Sequence, residues 1–160
     1  MLFRSQRPLG LDEAHAEAKR ALVELRDLAR GLHPAVLTDR GLGPALSAVA
    51  ARSPVPVEVD VRLTRRLDPA IEGIAYFVVS EALTKVVKHS GAGRAQVTAR
   101  LVDGRLHLRV VDDGTGGADP TRGSGLVGLR QRVASVDGDL TIESPLGGPT
   151  VLEAVIPCAL

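Results

Sequence analysis

At 160 residues and 44% hydrophobic, the chain can bury one real core with a short element beside it. The formal net charge is +1 and the 20 basic residues are spread along the sequence, which excludes the concentrated basic face of a nucleic-acid binder. Aromatics at 2% exclude stacking platforms for bases. The single cysteine, Cys158, excludes an internal disulfide and any cysteine-rich metal site and fits a reducing compartment. No stretch reaches the ~18 uninterrupted apolar residues of a membrane span, so the chain reads as a soluble, cytoplasmic segment.

From Leu11 to Leu32, Ala14, Ala18, Ala21, Leu22, Leu25, Leu28, Ala29 and Leu32 recur at helical spacing. Acidic residues open this amphipathic helix and Lys19, Arg20, Arg26 and Arg30 close it, which suits the macrodipole; Gly31 and His33-Pro34 end it. A shorter helix is expected from Pro44 to Ala51. Val55, Val57, Val59, Val61 and Leu63 then alternate with polar residues as a half-buried strand, and Pro56 puts it at an edge. The nearby cluster of Arg62, Arg65 and Arg66 reads as solvated surface.

Asp68-Pro69 supplies an N-cap and a first-turn proline for a helix to about Lys88, with Ile71, Ile74, Ala75, Val78, Ala82 and Val86 on one face. Two strands follow, Ala95 to Val102 and Arg105 to Asp112, joined by the hairpin turn Asp103-Gly104. A glycine-rich loop from Asp113 to Gly125 has no apolar anchor larger than alanine up to Gly123, so it is expected to be a mobile lid. A helix from Leu126 to about Val136 and an antiparallel pair, Leu140 to Ser144 with Val151 to Ile156, complete the chain. This order predicts an α/β two-layer sandwich, a mixed and mostly antiparallel sheet with helices on one face.

Three segments carry candidate chemistry. The first, Ser80-Glu81-Ala-Leu-Thr-Lys85-Val-Val-Lys88-His89-Ser90, spaces Glu81, Lys85 and Lys88 or His89 three to four apart, on the face opposite the apolar stripe. The second, Val110-Val111-Asp112-Asp113-Gly114-Thr115-Gly116-Gly117, ends an apolar strand in a carboxylate and opens into glycines that let backbone approach a ligand. The third, Gly123-Ser124-Gly125-Leu126-Val127-Gly128-Leu129-Arg130-Gln131-Arg132, contains a literal G-x-G-x-x-G. No strand leads directly into it, which rules out a dinucleotide-binding βαβ unit. Exposed N–H groups at a helix start remain a phosphate-binding arrangement on any fold.

Taken in order, these segments resemble the N, G1 and G2 boxes of the GHKL ATPases, and within them the nitrate-sensor and DesK-like sensor histidine kinases. Glu81-Ala-Leu-Thr is similar to their E-A-L-T-N, Lys88-His89-Ser90 to K-H-S, and Gly125-Leu-Val-Gly-Leu-Arg-Gln-Arg to G-L-x-G-L-R-x-R. Upstream, Glu24-Leu-Arg-Asp-Leu and Leu32-His33-Pro34 resemble the second dimerisation helix. The resemblance implies a GHKL (Bergerat-type) fold with residues 1–50 a remnant of dimerisation and linker helices and 51–160 the ATP-binding catalytic domain. It implies that Asp112 takes the exocyclic amine of adenine, that Gly114 and Gly116 let the lid pass close, and that Gly123, Gly125, Leu126 and Gly128 bring backbone to the phosphates. Glu81 and Lys85 become the catalytic positions, and Lys88 and His89 become nucleotide-binding cations.

The implied activity is transfer of the γ-phosphoryl group of ATP to a histidine on a dimerisation helix. The implied partners are ATP or ADP, that helix in a homodimer, and a response regulator. The first dimerisation helix with its phosphoacceptor is not in this sequence, and His33, before a proline, is not that residue, so the chain is not expected to phosphorylate itself. Lys85 stands where the family has a magnesium-binding asparagine; lysine has three donors and no acceptor, so a Mg2+ ligand is missing there. The alternatives are a catalytically impaired nucleotide sensor and an anti-sigma-factor-like serine switch kinase; the Leu11 to Leu32 helix speaks against the latter.

Overall fold

The computed structural model describes residues 14–19, 34–119 and 124–158. It divides into two units, Met1–His33 and Pro34–Leu160. In the first, residues 14–19 are helical and exposed, His15 among them. The rest of the expected Leu11 to Leu32 helix, with the Glu24 to Leu28 motif, Leu32 and His33, lies outside the described residues.

The second unit is a five-stranded sheet under a layer of helices. Its elements are α1 (Ala35–Arg40), α2 (Leu42–Ala51), β1 (Val57–Arg62), α3 (Pro69–Lys85), β2 (Ala95–Val102), β3 (Arg105–Asp112), α4 (Ser124–Ala134), β4 (Asp139–Glu143) and β5 (Thr150–Pro157). The strand order is β1-β2-β3-β5-β4. β1 runs parallel to β2, joined to it through α3, and the other three pairings are antiparallel. β1 is at an edge, where a proline before it costs no ladder hydrogen bond.

Period-two alternation builds the core. Ala95, Val97 and Ala99 of β2, Leu106, Leu108 and Val110 of β3, and Leu152, Ala154 and Ile156 of β5 are buried on one face. The other face carries Arg100, His107, Arg109 and Glu153, with surface pairs Arg100–Asp60 at 2.7 Å and Arg109–Glu153 at 2.8 Å. Asp103 and Gly104 turn the β2–β3 hairpin with φ of 49° and 71°, the doubly positive geometry of a primed turn.

α3 starts where the sequence predicts. The Asp68 carboxylate accepts from the Ala70 N–H at 2.8 Å, and Pro69 occupies the first turn. It packs against α2 on one side, α4 on the other and β3 beneath, so it buries Val79 and Leu83 as well as Ile71, Ala75, Val78 and Ala82 of the expected stripe; Val86, also buried, falls in the turn that follows, and Ile74 is only half-buried. The α-helical bonding ends at Lys85, and the last turn, Val86–Ser90, widens to a π turn before Gly91 takes a left-handed conformation, φ 62°. Arg132 of α4 lies over the Phe77 ring of α3, 3.9 Å from its centroid, and ties these two helices together.

Two features differ from the sequence reading. Arg66 is not merely solvated: its guanidinium grips the buried carboxylate of Glu72, Nε to Oε1 at 3.0 Å and Nη2 to Oε2 at 2.9 Å. The same Nη2 reaches the carbonyl oxygens of Leu37 and Thr38 in α1, and the Leu67 N–H donates to Glu72 Oε1 at 3.1 Å. The sequence pattern hides this because Glu72 looks like an ordinary first-turn acid.

α2 also begins earlier than Pro44, after Gly41 with φ 87°, and an additional short helix, α1, precedes it. Leu37 of α1 and Leu42, Ala45 and Leu46 of α2 belong to the same core as the sheet. The compact unit therefore runs from Pro34, and includes residues that the sequence-based division at 50 and 51 assigns to the linker. Leu46 is fully buried, so Leu46→Ala should destabilise the unit by about 2–5 kcal/mol, as in other leucine truncations in cores. Denaturant unfolding of the whole chain measures it, and a change under about 0.5 kcal/mol, the range of surface substitutions, would show that α2 is peripheral.

Candidate functional site

A cavity opens between α3 and its π turn, the ends of β3 and β5, the start of the glycine-rich loop and the start of α4. Its floor is apolar: Val110 and Leu152 from the central strands, Ile142 from β4, with Ala82, Val86 and Leu126 from the helices. At the strand ends sit Asp112 and, opposite it in register, Thr150. Lys85 and His89 come in from α3 and the π turn, and Gly116, Gly117 and Ala118 from the loop.

Asp112 is placed by the alternation that buries Val110, Leu108 and Leu106. Its side chain is 4% exposed, and Oδ1 accepts the Gly114 N–H at 2.9 Å. Burial raises its pKa above the ordinary 3.8; the nearby Asp113 charge adds to this, while the Gly114 N–H and the Ser90 hydroxyl oppose it. Asp113, the next residue, faces the other way and is structural. Its Oδ1 accepts the N–H groups of Gly93 and Arg94 at 2.9 and 3.0 Å, and these bonds, with the Arg94 charge 3.3 Å away, lower its pKa.

The glycines of the loop differ in what they must avoid. A Cβ on Gly114 would collide with the Ser90 carbonyl and lie 2.7 Å from Asp112 Oδ1. A Cβ on Gly116, where φ is +63°, would collide with the Pro145 and Gly148 carbonyls. Gly128 meets nothing within 4 Å, so neighbouring atoms of the protein do not require it to be glycine. The start of the loop is tied down: Thr115 N–H donates to the Ser90 carbonyl at 2.8 Å, Gly117 N–H to that of Ser144 at 3.0 Å, and Ala118 N–H to Ser144 Oγ at 2.9 Å. Residues 120–123, Gly123 included, lie outside the described residues.

The cationic positions separate. Lys85 and His89 line the cavity; Lys88, adjacent to His89 on the π turn, lines a different groove with Val49, Pro54, Leu83 and Val87. The π turn thus directs His89 to the cavity and Lys88 to the groove on its other side. Lys85 reaches across to α4: a Cβ on Gly125 would lie 2.7 Å from its Nζ. Glu81, one turn before Lys85 and half-buried, is not among the residues that line the cavity.

Residues 71–160 match the family described as Histidine kinase-, DNA gyrase B-, and HSP90-like ATPase. The chain belongs to this ATPase family. The sensor histidine kinase NarS of Mycobacterium tuberculosis is 39% identical over 132 residues, covering 78% of this chain and 31% of that protein. The nitrate/nitrite sensor protein NarX of Escherichia coli is 34% identical over 130 residues, covering 76% of this chain and 22% of that protein. This chain thus spans less than a third of either relative. The histidine kinase domain of the Erythrobacter litoralis EL346 blue-light activated kinase superposes with a TM-score of 0.62 at 26% identity, over 73% of this chain and 59% of that one.

In this ATPase unit, two site residues carry roles that the sequence reading does not assign, Ser90 within a quoted motif and Thr150 outside all of them. Ser90, buried at the end of the π turn, donates to the Val86 carbonyl at 2.7 Å, accepts the Ala92 N–H at 3.0 Å, and receives Thr115 at its carbonyl. Thr150 lines the cavity beside Asp112 and shares a hydrogen bond of 2.8 Å with Ser144. Its signal was available, since Thr150 lies two residues before the inward Leu152 on a period-two strand.

The raised Asp112 pKa has a definite sign in stability. Below 3.8 the carboxyl is protonated in both states and contributes nothing. As pH rises above that value, the unfolded chain releases its proton before the folded one, so stability is lost until the folded pKa is passed. The stability of Asp112→Asn relative to the parent chain should therefore increase from acid to neutral pH. Melting curves across that range check it, and a pH-independent difference would contradict it.

Proposed function

We propose that this chain is the nucleotide-binding catalytic part of a two-component sensor histidine kinase. In the intact protein it transfers the γ-phosphoryl group of ATP to a histidine on a dimerisation helix, and a response regulator takes the phosphate onward. The observation that carries this reading is the buried Asp112 carboxylate at the base of an apolar cavity, with a glycine-rich loop leading from it to the start of α4. A buried, donor-seeking carboxylate beside an apolar floor suits a flat amino-substituted base, whose faces the floor can cover. The names of NarS and NarX, both sensors, support the same direction.

Each site residue then has a role. Asp112 accepts the exocyclic amine of adenine while Gly114 N–H holds the carboxylate in place. Gly114 and Gly116 keep the backbone close enough to cover the base. Gly123, Gly125, Leu126 and Gly128 present the start of α4 to the phosphates. Glu81 stands near the γ-phosphate, and Lys85 and His89 supply positive charge; Lys88, on the wall of the other groove, acts from outside the cavity. Catalysis rests on positioning and electrostatics. Residues 1–33 are then a remnant of the dimerisation helices of a homodimer, and the unit works in the cytoplasm without contact to nucleic acid. Among the described residues no helix is long and apolar enough to cross a membrane.

Asp112→Asn should weaken ADP binding by ~1.5–3 kcal/mol, the range for a hydrogen bond to a charged group. Isothermal calorimetry with ADP measures it, and equal affinity of the two forms would remove the base from this pocket. Mixed with separately produced dimerisation helices of the parent kinase and labelled ATP, the chain should transfer label to a histidine. Label on serine instead would turn the reading to a switch kinase.

A further inference from the structure

The ATPase family and the resemblance to histidine kinases imply a magnesium ion between the protein and the phosphates. The donor set around the cavity does not fit one. Mg2+ demands oxygen ligands in near-octahedral array. The oxygen-bearing side chains that line the cavity are Ser90, Asp112 and Thr150. Ser90 Oγ is taken up by the Val86 carbonyl and the Ala92 N–H. Thr150 Oγ1 is engaged by Ser144, and Asp112 is held at the strand ends by Gly114. Among the described residues, no three His, Cys, Asp or Glu side chains are grouped to hold a metal.

What stands opposite the start of α4 is an ammonium. Lys85 Nζ lies where a Cβ on Gly125 would be 2.7 Å from it, and its Cε 3.3 Å, so the lysine head rests against the backbone at the start of α4. A lysine ammonium offers three donors and no lone pair. It can neutralise phosphate oxygens, and it repels a divalent cation brought to the same place.

We propose that Lys85 replaces protein-held magnesium as the countercharge of the phosphates, so that this domain binds a nucleoside diphosphate or triphosphate without divalent metal. The proposal rests on the nucleotide-binding reading above and adds the ionic condition of that site. It makes a statement opposite to the metal-dependent case: free magnesium, by coordinating the phosphates in solution, competes with Lys85 and leaves affinity unchanged or lower.

The test is calorimetry of the whole chain with ADP and with adenosine, in EDTA and in excess magnesium, for the parent, Lys85→Asn and Lys85→Met. The parent should bind ADP in EDTA at least as tightly as in magnesium. Both variants should bind ADP at least about tenfold more weakly in EDTA, the equivalent of about 1.4 kcal/mol. Lys85→Asn should regain affinity with magnesium and Lys85→Met should not. Adenosine, which has no phosphate, should bind all three forms alike in both buffers, and it also reports whether the variants are folded.

Loss of ADP binding by the parent in EDTA would overturn the proposal, as would unchanged ADP affinity of both variants there. Either result with adenosine still bound leaves the nucleotide site standing and removes only Lys85. If neither ADP nor adenosine binds the parent in either buffer, the nucleotide reading itself falls, and this proposal with it.

Discussion

Where the loop after β3 leaves the sheet, Gly114 lies against the carbonyl of Ser90, and no side chain larger than hydrogen fits between them. Three placements depend on this approach. The Gly114 N–H can reach back to Asp112 Oδ1, the next N–H, of Thr115, can bond the Ser90 carbonyl, and the end of the π turn is thereby closed against the strand end. The cavity exists because the helix stops short and the loop turns sharply at the same point. A wider turn at either residue would open the floor to water and free the carboxylate. With the carboxylate buried, its charge costs desolvation, and that cost makes a donor from a ligand worth more to it than to an exposed aspartate.

Asp112 and Asp113 show how adjacent identical side chains are assigned opposite tasks by a strand. One points into the cavity with a raised pKa; the other turns to the surface, bonds two backbone N–H groups and has a lowered one. Asp113 anchors the start of β2 at Gly93 and Arg94, so it fixes the residues that follow the π turn. One member therefore faces the cavity while the other fastens the chain between the π turn and β2. Their mutual repulsion adds to the rise at Asp112, which favours a bound donor there.

The sequence made some of this readable and hid the rest for physical reasons. Local rules were sufficient for β2 and β3, whose alternation and primed turn have no competing arrangement, and for the start of α3, where Asp68 and Pro69 act within one turn. The same alternation singles out Asp112 over Asp113, since Leu106, Leu108 and Val110 precede it by even steps. Contacts between distant segments were not readable. Arg66 and Glu72 look like surface charges until α3 packs against α2 and closes Glu72 off from water. The parallel pairing of β1 with β2 depends on the crossover through α3, which no residue of β1 announces. Lys88 and His89 are equivalent in a motif and separate only when the π turn is placed beside the sheet.

The Arg66–Glu72 pair bears on how the start of this unit is joined to the site. The chain enters at Pro34 and goes directly into α1, whose Leu37 and Thr38 carbonyls accept from the same guanidinium nitrogen that holds Glu72. Glu72 is in the first turn of α3, and the same helix carries Lys85 at its end. Gly41, which follows α1, has no room for a Cβ because the Arg66 side chain lies 2.9 Å from where it would be. Arg66 therefore links α1 to the first turn of α3: it donates to two α1 carbonyls and to the buried Glu72 carboxylate, so removing its guanidinium would leave that carboxylate buried with only the Leu67 N–H as donor. The sides of α3 are packed against α2 and α4, so the helix that holds Glu72 at one end and Lys85 at the other is fixed along its length. Lys85 at that end meets Gly125 at the start of α4, so the Arg66–Glu72 pair and the cavity lysine are borne by the two ends of one packed helix.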